Sequence, residues 1–163
     1  MLNNVLVPLD GSQLAELAID YALKILSLDG RLVLLSVVDL PFPTRVPFDM
    51  PPIQTVDPTG LERSREVTRD YLRGKAEMLR SDGWKVETLT ETGYPEEAIV
   101  RVARNRDVDA IVMSTHGRTG LNRLLLGSVT HRVLNEAPCP VFVIPNKPNK
   151  IEAMPENETA KVG

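Results

Sequence analysis

One stretch of this chain carries residue types arranged for anion binding. Ser114-Thr115-His116-Gly117-Arg118-Thr119-Gly120 runs through Leu121 to Leu126 into Gly127-Ser128, where a helical pattern opens. Glycines let a backbone come close to a ligand and adopt positive φ, so that successive N–H groups can face a single anion. A helix starting near Gly127 adds unpaired N–H groups and the positive end of its dipole. His116, Arg118 and Arg123 can add charge within the same stretch. A polyanion the size of a triphosphate suits such an arrangement. A surface loop leading into an ordinary helix N-terminus would read the same way, and this loop alone does not separate the two.

Other chemistries are poorly served. G-x-x-x-x-G-K-[ST] is absent, so there is no Walker lysine. No G-x-G-x-x-G follows the first apolar run, which disfavours a dinucleotide fold. Cys139 lies between Pro138 and Pro140 without a histidine or basic neighbour, and reads as structural. His116 and His131 are too isolated to make a metal cluster. His131 and Arg132 read as ordinary helix positions.

The elements that must hold the loop alternate strand and helix. Asn4–Leu9 is an apolar run of the kind a strand buried on both faces shows. Asp10-Gly11-Ser12 makes a turn with Ser12 as N-cap. Leu14, Leu17, Ala18, Tyr21, Ala22, Ile25 and Leu26 then form one helical stripe, which Asp29-Gly30 is expected to end, with Gly30 in a left-handed cap. Arg31–Val38 is the second strand. Six of the 13 prolines fall within residues 40–59, which reads as an inserted loop because no regular element tolerates them. A charged helix is expected over Leu61–Ser81, an edge strand over Trp84–Thr90 and a helix from Pro95. The fourth strand is Asp109–Met113, the next helix Leu125–Ala137 and the last strand Val141–Ile144. Residues 147–163 are polar and read as a disordered tail after a single domain spanning 1–146.

This order implies an α/β domain with an open, doubly wound parallel sheet of five strands and helices on both faces. Ligands bind such sheets beyond the C-terminal strand ends, where the strand order reverses. Net charge is −3, which argues against a nucleic-acid or anionic-membrane binder, and no apolar run approaches a membrane span. The N-terminus lacks the pattern of a secretory signal and there is one cysteine, so the cytoplasm is the expected compartment.

Together these residues resemble the universal stress protein family, in its ATP-binding branch. The family signature is Gly, two residues, Gly, nine residues, Gly, then Ser or Thr; here Gly117, Gly127 and Ser128 match, and Ser114 replaces the first glycine. Val5–Ser12, Asp109–Gly117 and Ala137–Val141 extend the likeness, which covers residues 3 to 145 apart from the proline-rich insert. The resemblance implies strand order 3-2-1-4-5. It also implies an ATP site in which Gly117, Gly127 and Ser128 carry the phosphates, with Ser114, His116 and Arg118 beside them. Asp10, two residues after Pro8 at the same strand end, would face the ribose or a Mg or Mn ion held by the phosphates; a plain turn role is the alternative. Val37 would read the adenine edge through its main chain, and Met113 would wall the base or serve only the core. A homodimer through Val141–Ile144 is implied too, and the 40–59 loop is a candidate surface for a protein partner. Three readings stay open: an ATP-binding stress-response regulator, a slow ATPase, and a nucleotide-free dimeric adaptor. No residue stands out as catalytic.

Overall fold

The computed structural model describes residues 1–39, 57–115 and 127–145. The tail from 147, most of the 40–59 insert, and His116, Gly117 and Arg118 lie outside the described residues.

Among the described residues nine elements follow in the expected alternation: β1 (Leu2–Pro8), α1 (Gln13–Ile25), β2 (Leu26–Val38), α2 (Pro58–Ser81), β3 (Lys85–Thr92), α3 (Pro95–Asn105), β4 (Ala110–Ser114), α4 (Ser128–Glu136) and β5 (Val141–Ile144). The sheet is parallel, with order β3-β2-β1-β4-β5. The central strands are continuous apolar runs because both faces are covered: Val5, Leu6 and Val7 of β1 and Leu32–Leu35 of β2 are fully buried. Alternation divides them between two cores. Val5, Val7, Leu32 and Leu34 pack with Ala15, Ala18 and Ala22 of α1 and Leu72 and Ala76 of α2. Leu6, Val33, Leu35, Ile111 and Met113 pack with Ile99, Val102 and Ala103 of α3 and Val133 of α4. β1 therefore leads to a helix on one face and β4 to a helix on the other, so a crevice opens between their C-terminal ends.

Most boundaries shift by one to three residues, α4 starting at Ser128 rather than Leu125, and two differences have a clear physical cause. α1 ends at Ile25, where the N–H of Leu26 reaches Ala22 O and the chain turns extended at φ −74°, ψ 139°. Gly30 is not a left-handed cap; the positive-φ glycines among the described residues are Gly11, Gly83 and Gly93. Instead β2 starts early and bulges: β1 advances from Leu2 to Asn4 while β2 advances from Leu26 to Arg31. A Cβ at Gly30 would stand 2.7 Å from Leu26 Cδ1 and 2.9 Å from Ser27 Oγ, so any other residue would make these side chains shift. α2 begins at Pro58, earlier than the helical stripe indicated. Asp57 caps it by accepting from the N–H groups of Thr59 and Gly60, and Pro58 suits the first helical position.

Candidate functional site

A cleft of about 710 Å³ lies beyond the C-terminal ends of β1, β2 and β4. Pro8, Asp10, Val37, Met113, Ser114, Gly127 and Ser128 all line it, so every described residue singled out from the sequence reaches one place. The volume falls within the range of small-ligand sites, about 300–1,000 Å³.

Its walls are built by ordinary local rules. Asp10 leaves the end of β1 and turns its carboxylate onto the following turn: Oδ1 accepts from Ser12 N at 3.0 Å and Ser12 Oγ at 2.6 Å. Ser12 Oγ in turn accepts from Ala15 N at 3.1 Å, which caps α1. Asp10 thus serves the turn and lines the cleft as well.

On β2, the last pair with β1 is Leu35 opposite Pro8, and Leu35 O accepts from Leu9 N at 2.7 Å. Val38 O accepts from Gly93 N on the opposite side of the strand. Backbone groups alternate sides along a strand, so the N–H and C=O of Val37 turn toward the β1 side, past the end of β1. A main-chain donor and acceptor therefore open on the cleft.

β4 and α4 are tied together at the mouth. Gly127 N donates to Thr115 O at 2.9 Å, and Thr115 N donates to Ile144 O at 3.0 Å. The buried hydroxyl of Thr130 donates to Ser114 O at 3.1 Å and lies 3.4 Å from Thr115 O. Among the described residues no side chain caps α4, whose first residues, Ser128, Val129 and Thr130, line the cleft. The first-turn N–H groups are thus available to an anion. Gly127 sits at φ −58°, ψ 152°, which any residue adopts; its usefulness lies in lacking a Cβ rather than in a left-handed backbone.

Sequence reasoning missed part of the lining. Asp39 brings a second carboxylate, Thr130 braces the loop, and Pro95 and Ile99 of α3 close the apolar side. Arg63, Ser64, Val67 and Thr68 of α2 form a further wall. A helix beyond a long insert carries no local signal of this; only its i, i+4 spacing marks Arg63 and Val67 as neighbours on one face.

Elsewhere the chemistry is quiet. Burial pushes the half-buried Cys139 thiol up, and the Asp109 charge adds to this, so the thiol is not activated. No cluster of three or more His, Cys, Asp or Glu able to hold a metal occurs among the described residues. None of the helices described is long and apolar enough to cross a membrane.

The strand order and the crevice beyond the strand ends define a doubly wound α/β domain. A profile of the universal stress protein family matches residues 1–145, and the chain belongs to that family. It is 34% identical to universal stress protein MJ0531 of Methanocaldococcus jannaschii over 92% of this chain and 85% of that protein. The structure of UspA from Lactobacillus plantarum superposes with a TM-score of 0.69 at 25% identity, covering 87% of this chain and 97% of that one. A family protein from Arabidopsis thaliana described with AMP bound shares the fold, with a TM-score of 0.59 at 18% identity over 89% of this chain and 92% of that one.

Proposed function

We propose that this protein is a nucleotide-dependent regulator that binds ATP in the cleft at the end of β1 and β4. The observation that carries the reading is the meeting of all seven described candidate residues in one crevice, with a main-chain donor and acceptor at Val37 and an uncapped helix start at Ser128. The adenine edge fits the Val37 main chain, with Met113 as an apolar wall. The phosphates fit the first turn of α4 and the loop from Ser114 to Ser128, to which Gly117, His116 and Arg118 belong in sequence. AMP in the distant Arabidopsis protein supports an adenine nucleotide on this fold. Asp10 and Asp39 offer hard carboxylate oxygens that suit a Mg or Mn ion arriving with the phosphates. Binding, rather than dedicated catalysis, accounts for the residues present; hydrolysis would need an oriented water and transition-state charge stabilisation, and is at most slow.

Residues 1–146 form the nucleotide-binding unit in this reading, in the cytoplasm, and the edge strand β5 is the dimer contact. The insert over 40–59 is the surface for a protein partner. Denaturing the purified protein and analysing the released small molecules tests the central claim. A stoichiometric adenine nucleotide, or ATP uptake in calorimetry, is expected. Absence of both would replace this reading with a nucleotide-free adaptor.

A further inference from the structure

Helix α2 is the part of the cleft that the signature residues leave unassigned. It is strongly charged, and most of its arginines are engaged: Arg65 and Arg69 with Glu62, Arg73 with Asp70, and Arg80 with the carbonyl of Val86. Arg63 has no ion-pair partner among the described residues and is their only basic side chain lining the cleft. One helical turn on, Val67 is 65% exposed although it is a large apolar residue, and it also lines the cleft. An apolar side chain left open on a charged helix, inside a concavity, is covered when a ligand enters.

The orientation of this face is fixed. Arg63, Val67, Tyr71 and Lys75 recur at four-residue intervals, on one side of α2. Tyr71 and Lys75 both grip Glu16 in the first turn of α1, at 2.9 and 2.7 Å. Ser12 caps α1, and Asp10 holds Ser12. The helix that carries Arg63 and Val67 is therefore anchored, through Glu16 of α1, close to the turn whose Asp10 lines the cleft.

Resting on the nucleotide reading above, we propose that α2 is the closing wall of the site, with Arg63 pairing with the phosphate chain and Val67 covering the nucleoside. A polyanion entering beside Asp10 and Asp39 gains from a cation on the facing wall. A guanidinium suits phosphate oxygens because its N–H groups form a fork.

Calorimetric titration of the full chain with ATP and with adenosine tests this, using Arg63→Gln and Val67→Ser. Arg63→Gln should weaken ATP by about tenfold or more, the scale of one charge-assisted hydrogen bond, and leave adenosine unchanged. Val67→Ser should weaken both ligands severalfold. Wild-type ATP affinity in Arg63→Gln, or equal losses for ATP and adenosine, would overturn the role of Arg63. Unchanged affinities in Val67→Ser would overturn the role of Val67. Wild-type protein that takes up no ATP would reject the nucleotide reading itself, and α2 as its wall with it.

Discussion

The Tyr71 hydroxyl donates a 2.9 Å hydrogen bond to the Glu16 carboxylate, joining α2 to α1 across 55 positions of sequence. Lys75 adds an ion pair to the same carboxylate, and its ammonium lies 5.9 Å from the Tyr71 ring centre. Burial raises the Tyr71 hydroxyl above the ordinary tyrosine value, and the Glu16 bond and the charges of Glu16 and Asp10 act in the same direction. The unfolded chain releases this proton from about pH 10 while the folded chain keeps it. The contribution is therefore complete below that pH and declines as pH rises through it. Tyr71→Phe should cost about 1 kcal/mol near neutral pH. The gap to wild type should narrow toward about pH 11 in urea titrations; a gap that widens would contradict the assignment.

Asp10 has two roles that two substitutions separate. Asp10→Asn keeps an oxygen to accept from Ser12 and removes the charge, whereas Asp10→Ala removes both. Only the alanine variant should lose stability, by about 1 kcal/mol, as for a lost helix cap. Both should lose the dependence of ATP affinity on added divalent ion. Wild-type metal dependence in Asp10→Asn would leave Asp10 as a turn residue alone.

Thr130→Val removes the hydroxyl that braces the start of α4 against the end of β4 while nearly keeping its shape. Two carbonyls, those of Ser114 and Thr115, lose this donor in a buried spot. Destabilisation of about 1–3 kcal/mol is expected from such a loss, together with weaker ATP binding because the first turn of α4 is no longer fixed. Denaturant unfolding and calorimetry on the same sample check both; unchanged stability would remove the bracing role.

Gly127→Val tests close approach without backbone strain, since φ −58°, ψ 152° accepts valine. Folding should be intact by melting temperature, and ATP affinity should fall by about tenfold, the scale of one backbone hydrogen bond to phosphate. Unchanged affinity would remove the phosphates from this helix start.

The strands were legible because parallel strands covered on both faces must be apolar throughout, as Val5–Val7 and Ile111–Met113 are. The Asp82-Gly83 stop was legible because Gly83 sits at φ +92°, where glycine is favoured. Gly30 misled because it sits in the irregular start of β2, beside Leu26 and Ser27 of the same strand, where the pattern suggests a helix stop. Arg63 and Val67 were hidden because their place in the cleft depends on a tertiary contact, the grip of Tyr71 and Lys75 on Glu16. Asp10 was legible as the residue that follows the first apolar strand, whereas the helical pattern ran from Leu125 and α4 begins only at Ser128, after Gly127.

β5 pairs only with β4 among the described strands, and Phe142 is 44% exposed on it. Pro140 O accepts from Ile111 N, and Ile144 O accepts from Thr115 N, so the even-numbered residues face β4. Alternation turns the N–H and C=O of Val141 and Val143 outward. An apolar edge with outward donors and acceptors invites pairing, and a twofold copy of the same segment satisfies both chains at once. Val143→Pro removes one outward donor and spares the β4 bonds, so it should yield monomer or aggregate with the sheet intact. Phe142→Pro removes an inward donor and should instead destabilise the fold. Light scattering of the wild type is expected to give a dimer. A soluble wild-type monomer, or a Val143→Pro variant that still dimerises, would reject β5 as the contact.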